Sequence, residues 1–152
     1  MSLYQLLVLI HVTSAIVGLG PGFIMTYIIT KTDNIEELRH GYKLRTRLHV
    51  IVMTGGILLL VTGLTMGALN PYLFSATWYV LSLILYMIAL AFGPFLLAPL
   101  TRQIRPMIAA HKGTGIPEGY NPLAKKLYLY ENIINGIFII IIALMILKPG
   151  IH

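Results

Sequence analysis

Four long apolar runs constrain the fold of this chain more than any other feature. They cover residues 3–30, 48–69, 76–100 and 127–147, and a helix needs about 20 apolar residues to cross a bilayer. Only 11% of the residues are charged, whereas soluble domains average about 25%. We therefore predict an all-α, polytopic membrane protein, a four-transmembrane-helix bundle that forms a single domain over residues 1–152.

The connections between these runs differ sharply in charge. The first, about 31–47, carries five Lys or Arg against three acidic residues, and the third, about 101–126, carries five against one. The second connection, 70–77, has no charged residue. The positive-inside rule then predicts that connections one and three are cytoplasmic and that both termini lie outside. Because the net charge of +6 is concentrated in these connections, it does not indicate nucleic-acid binding.

Local signals predict where the helices begin and bend. Asp33 or Asn34 is expected to cap a short helix that Gly41 interrupts. Asn121 is expected to cap the last helix, with a proline in its first turn. Pro94 and Pro99 are expected to kink the third span.

His11 is the only ionisable side chain before Lys31. On a helix it shares one face with Ser14, Ala15, Gly18 and Gly22, and small residues in that pattern indicate close packing of a second helix. An ionisable group at membrane depth is a candidate functional residue. We therefore expect its ring to point into the bundle.

Haem b is one interpretation of His11. The residue would then be an axial iron ligand, and the second axial position would fall to Met66, Tyr79 or Met145. His49 cannot share that iron, because the helical rise places it roughly 20 Å away along the membrane normal. In the alternative interpretation, His11 forms a hydrogen bond to a neighbouring helix and only stabilises the bundle.

A second constellation of polar residues is expected nearer the basic connections. It comprises Arg45, Arg47, His49, Glu131, Asn132 and Asn135. Since an unpaired carboxylate at membrane depth is costly, Glu131 is expected to pair with His49, Arg47 or Lys126. The cluster would serve as a proton relay or anion pocket, or simply as a salt bridge between spans two and four.

Span two offers one face for helix packing, and His49 on that face is expected to point into the bundle. The members of this face recur at helical spacing as His49, Met53, Gly56, Leu60, Gly63 and Gly67. The segments GLGPGF and AFGPF resemble each other, as do GYKLRTRLH and GYNPLAKKLY. These similarities indicate a two-plus-two pseudo-repeat about an axis along the membrane normal.

The segments LLVLIHVTSAIVGLG, VTGLTMGAL and WYVLSLILYMIALAFGPFLLAPLTRQIR carry a family resemblance. Together they resemble the DUF2269-like family, bacterial four-helix integral membrane proteins of unknown function. The chain is more distantly similar to the copper-resistance D family and to the HemJ family of membrane protoporphyrinogen oxidases. Those families share the early histidine, so only His11 matches their pattern. The resemblance implies a location in the bacterial cytoplasmic membrane.

Two functions follow from these observations. The first is a non-catalytic bundle that acts as an accessory subunit or as a scaffold for lipid or a partner, such as a homodimer or another membrane protein. The alternative is a haem- or quinone-linked redox or haem-handling protein with His11 as the ligand. The chain contains no cysteine, so thiolate chemistry is excluded.

Overall fold

A computed structural model describes residues 2–150, and within that range all regular structure is helical. The α-helices are α1 (Leu3–Thr30), α2 (Ile35–Leu69), α3 (Thr77–Phe92), α4 (Ala98–Ala110) and α5 (Tyr120–Leu147). A 3₁₀ helix, Pro71–Ser75, follows α2, and a π-helical turn, Gly93–Leu97, joins α3 to α4. The helices α1, α2, α3–α4 and α5 are each long and apolar enough to span a bilayer. The predicted all-α bundle of four spans is confirmed.

The cap at Asn34 was predicted correctly, but the interruption at Gly41 was not. The Asn34 side chain accepts a hydrogen bond of 2.9 Å from the backbone N–H of Glu37, and α2 then runs unbroken to Leu69. A Cβ on Gly41 would lie 3.1 Å from Ile29 Cγ2. Gly41 therefore permits close packing of α1 against α2 rather than ending a helix.

The last helix begins differently from the prediction. It starts at Tyr120, and its N-cap is Gly119 rather than Asn121, with no side-chain capping bond. Gly119 has a φ of 83°, a left-handed conformation that glycine adopts without a steric penalty. The loop before it is also shorter than expected, because α4 continues to Ala110.

The third span changes its hydrogen-bonding pattern at Gly93–Pro94. Proline has no N–H, and its ring clashes with the carbonyl four residues earlier in an α-helix. A π-helical turn accommodates that mismatch, and it occupies Gly93–Leu97. Pro21, in the similar segment of span one, lies inside a continuous α-helix. The two-plus-two repeat stays a prediction.

The helices associate as two close pairs, α1 with α2 and α3 with α5. A Cβ on Gly18 would lie 2.8 Å from the Gly55 carbonyl carbon, so the backbones of α1 and α2 are in contact there. Within residues 2–150, no Cα of α2 comes within 8 Å of one in α3. The two pairs therefore meet where α1 approaches α5 and, at one end, through α4.

Burial is unequal along the bundle, which we divide into two halves. The basic half adjoins the connections 31–34 and 111–119. Its buried apolar core comprises Ile29, Ile35, Leu38, Tyr42, Leu100, Ile104, Ile108, Tyr120, Ala124 and Leu127. The uncharged half adjoins the connection 70–76, and its buried apolar cluster comprises Leu19, Leu59, Tyr86 and Ile141, with Met66 and Tyr79 buried outside that cluster.

Candidate functional site

A cavity of about 440 Å³ opens in the uncharged half, between the two helix pairs. All four spans contribute to its wall. The lining residues are His11, Val12, Ala15, Ile16, Leu19, Gly20 and Phe23 of α1, Leu59, Leu60 and Gly63 of α2, Tyr79, Ser82, Leu83 and Tyr86 of α3, and Ile141, Ile142, Met145 and Ile146 of α5. Its volume lies within the roughly 300–1,000 Å³ typical of small-molecule sites.

Two tyrosines hold α3 away from α2 and so keep this space open. Tyr79 donates a hydrogen bond of 2.9 Å to the carbonyl of Gly63, and Tyr86 donates one of 2.8 Å to the carbonyl of Gly56. In each case the full length of the tyrosine side chain spans the gap between α3 and α2. Glycine at position 56 leaves room for the Tyr86 hydroxyl, because a Cβ on Gly56 would lie only 3.0 Å from it.

The ring of His11 faces α2, as its helical face predicts. Its Nδ1 lies 2.8 Å from Thr62 Oγ1, and a Cβ on Gly63 would lie 3.3 Å from its Cε1. Gly63, which was expected on the helix-packing face of α2, makes room for this imidazole. His11 thus has the short interhelical bond expected of a structural histidine, and it also borders a cavity.

The partners of Thr62 assign the His11 tautomer. Thr62 Oγ1 lies 2.7 Å from the carbonyl oxygen of Leu58, and a carbonyl can only accept. The threonine proton is therefore used in that bond, a common arrangement for threonine in helices. His11 Nδ1 must then donate to Thr62 Oγ1, and this tautomer leaves a lone pair on Nε2.

Of the proposed second haem ligands, Met145 and Tyr79 line the cavity together with His11. Met66 is buried but does not line the cavity, and the Tyr79 hydroxyl is already bonded to Gly63. No group of three or more His, Cys, Asp or Glu side chains within residues 2–150 could hold a metal ion, and His11 remains the ligand that the haem interpretation names. Its role as a ligand stays a prediction.

The basic half contains a buried ion pair that differs from the expected one. Glu131 accepts a hydrogen bond from the Arg45 guanidinium, and its other oxygen accepts one of 2.6 Å from Thr26 Oγ1. The expected partners were His49, Arg47 or Lys126. Arg45 takes this place because it continues the buried face of Leu38 and Tyr42. One carboxylate thereby links α1, α2 and α5.

The rest of the predicted polar constellation does not assemble around Glu131. Arg47, His49 and Asn132 are exposed at the surface of the molecule, and Asn135 is half-buried. The expectation that His49 points into the bundle was wrong. The packed face of α2 carries Arg45, Leu59 and Met66 instead, and His49 lies to the side of it.

Two buried atoms of this region lack a hydrogen-bond partner within residues 2–150, the hydroxyl of Tyr42 and Nη1 of Arg45. Nearby, the hydroxyls of Tyr120 and Tyr128 lie 3.0 Å apart.

The sequence reasoning missed Thr26, although it falls one turn beyond the series Ser14, Gly18 and Gly22. It also missed Thr62, for which no signal in the sequence stands out.

Comparison with known proteins places the chain in a family but identifies no function. A family model described as "Predicted integral membrane protein (DUF2269)" matches residues 5–149. No curated protein and no solved structure is significantly similar to the chain. The distant similarity to the copper-resistance D and HemJ families therefore stays a prediction.

Proposed function

The chain belongs to the DUF2269 family of predicted integral membrane proteins, and we propose that it is a non-catalytic scaffold that binds an apolar molecule from the lipid phase. The cavity beside His11 carries this proposal. It is almost entirely lined by aliphatic and aromatic side chains with a few polar atoms, which is the composition of sites for small apolar ligands.

The packing of the bundle supports a binding role for this half. Gly18 and Gly55 bring α1 and α2 into backbone contact, whereas α3 stands off from α2 on tyrosine side chains. Small residues in membrane helices normally allow close contact along an interface. On one side of His11, α1 therefore packs closely against α2. On the other side, the space between α2 and α3 stays open and forms the cavity.

A matched pair of glycine variants tests whether the cavity is the binding site. A Cβ on Gly20 or on Gly136 meets nothing within 4 Å, but only Gly20 lines the cavity. Gly20→Leu should therefore fill the cavity, and Gly136→Leu should leave it open. Native mass spectrometry of protein released from detergent micelles should show a bound small molecule on the wild type and on Gly136→Leu, but not on Gly20→Leu.

The proposal fails if the wild type carries no small molecule under conditions that preserve the folded protein. It also fails if Gly20→Leu retains the same bound mass as the wild type. Thermal unfolding of both variants would establish that each one is folded.

Haem is the second candidate, and the His11 tautomer favours it. An imidazole that donates from Nδ1 and keeps a lone pair on Nε2 is prepared to bind iron. His11 would hold the iron, and bound haem would supply one-electron chemistry. Purified protein should then show a Soret band in its oxidised and reduced spectra, and His11→Ala should lose the band while remaining folded. Absence of the band after haem supplementation would rule this candidate out.

We also propose the orientation in a bacterial cytoplasmic membrane, from the charge of the connections. Connections one and three would be cytoplasmic, with both termini outside. Reporter fusions near residues 40 and 112 should give cytoplasmic signals, and fusions near residues 73 and 152 should give external ones. A cytoplasmic signal near residue 73 would reverse the orientation. Association with a second copy or with another membrane protein stays a prediction from the sequence.

A further inference from the structure

We infer that the ligand of the His11 cavity carries a hydroxyl group that donates a hydrogen bond to His11 Nε2. This inference rests on the binding function proposed above and specifies the chemistry of the ligand. It follows from how every polar side chain in the cavity wall uses its hydrogen atoms.

The cavity wall contains four polar side chains, those of His11, Tyr79, Ser82 and Tyr86. Three of them are hydroxyls bonded to backbone carbonyls. Tyr79 lies 2.9 Å from Gly63 O, Tyr86 lies 2.8 Å from Gly56 O, and Ser82 lies 2.7 Å from Trp78 O. Because a carbonyl oxygen can only accept, each hydroxyl must be the donor, and its single proton is used.

The fourth polar side chain has its proton in use as well. His11 donates from Nδ1 to Thr62 Oγ1, since the threonine proton is bonded to Leu58 O. The helix N–H groups behind the wall are used within the helices. The polar atoms that face the cavity therefore offer lone pairs but no free proton.

A site with this inventory discriminates between ligands of similar shape. A phenol, a hydroquinone or another lipid-soluble alcohol can donate to the imidazole Nε2 and gain a hydrogen bond. A quinone, a ketone, an ester or an ether has only acceptor atoms, so its oxygen finds no donor here. A carboxylate would in addition lose its hydration without a cationic partner.

Among the acceptors of the wall, His11 Nε2 is the one we assign to the ligand hydroxyl. The three hydroxyl oxygens are held close to backbone carbonyls by their own bonds. The side-chain hydrogen bond that the imidazole makes within the described residues is through Nδ1, and Nε2 is the ring nitrogen left with a lone pair for a ligand.

The experiment compares a para-alkylphenol with its methyl ether of the same chain length. The two probes share the ring and the alkyl chain, but only the phenol can donate. The extra methyl group makes the ether the more hydrophobic probe, so hydrophobicity alone would favour the ether. Calorimetric titration of the protein in lipid nanodiscs, corrected with empty nanodiscs, should show the phenol binding about three- to tenfold tighter than the ether, the value of one net hydrogen bond. His11→Ala should abolish that preference, whereas His49→Ala, at an exposed site outside the cavity, should keep it.

If His11→Ala does not fold, His11→Phe retains a ring without nitrogen and should also abolish the preference. Equal affinity for phenol and ether, with both lost in Gly20→Leu, would overturn the inference and leave the proposed function intact. A preference that persists in the His11 variants would overturn the assignment of Nε2. Binding of neither probe, or binding unaffected by Gly20→Leu, would instead refute the proposed function. A Soret band in the purified protein would overturn the hydroxyl ligand in favour of haem.

Discussion

The basic half and the uncharged half of the bundle are built in opposite ways. The basic half buries ten apolar residues in one cluster, and its ion pair connects three helices. The uncharged half has a buried apolar cluster of only four residues and leaves a cavity of about 440 Å³ beside its histidine. Both halves contain an ionisable side chain, but in the first it is enclosed by partners and in the second it borders open space.

This difference shows how one half of a membrane bundle can provide stability while the other half provides a binding site. Lipid chains are as apolar as leucine, so helices associate through packing and polar contacts rather than through the hydrophobic effect. The basic half concentrates both kinds of contact. The uncharged half can then remain loosely packed without dissociation of the helices. The following variants test that division.

The largest expected effect is at the buried ion pair. Glu131→Gln would leave the Arg45 guanidinium buried without a counter-charge, and loss of one partner of a buried pair typically costs about 3–5 kcal/mol. Denaturant titration in mixed micelles should show this loss. Arg47→Ala removes an exposed cation and should change stability by under about 0.5 kcal/mol. Similar losses in both variants would contradict the special role of the pair.

Leucine truncations compare the packing of the two halves directly. Leu127 is fully buried in the basic half, whereas Leu60 is half-buried and borders the cavity. Leu127→Ala creates a new void and should cost about 2 kcal/mol or more, while Leu60→Ala enlarges an existing one and should cost under about 1 kcal/mol. The same unfolding assay measures both, and equal costs would show that the uncharged half is as tightly packed as the other.

Two alanine substitutions in α1 define where close packing ends. A Cβ on Gly18 would lie 2.8 Å from the backbone of α2, whereas one on Gly20 meets nothing within 4 Å. Gly18→Ala should destabilise by about 1–3 kcal/mol through overpacking. Gly20→Ala should be neutral or stabilising by up to about 1 kcal/mol, because alanine favours the helix. Thermal unfolding in detergent measures both effects. If Gly18→Ala proved no more destabilising than Gly20→Ala, α1 and α2 would have to lie further apart at Gly18.

The smallest expected effect concerns the bond between His11 and Thr62. Interhelical hydrogen bonds in membranes average about 0.6 kcal/mol and reach about 1.7. His11→Ala and Thr62→Val should each lose an amount in this range, and the double variant should lose little more than either single one. A double-mutant cycle measures that coupling. Additive losses would mean that the 2.8 Å contact contributes nothing to stability.

Much of the bundle could be predicted from the sequence because membrane helices obey one-dimensional rules. The lengths of the apolar runs determine the number of spans, and the local cap at Asn34 was recognisable from the residue type. The inward face of His11 followed from helical spacing with Ser14 and Gly18. Each of these features depends on residues within a few turns of one helix.

The errors concerned where a helix begins or ends and which face of a helix packs inward. Gly41 and Asn121 were interpreted as helix boundaries because their residue types favour such positions. Gly41 instead faces Ile29 across a tight helix contact, which local sequence cannot reveal. His49 was placed inward because its spacing matches Gly56 and Gly63, yet the packed face of α2 passes through Arg45.

The sequence by itself determined four apolar helices, a histidine on the small-residue face of the first, and a carboxyl group that must find a partner at depth. Only the tertiary structure decided that Arg45 and Thr26 pair with Glu131 and that a cavity lies between α2 and α3. The physical reason is the range of the interactions. Helix formation and burial cost are properties of a segment, whereas pairing and empty space depend on how far apart helices settle, and that distance is set by side chains from different segments at once.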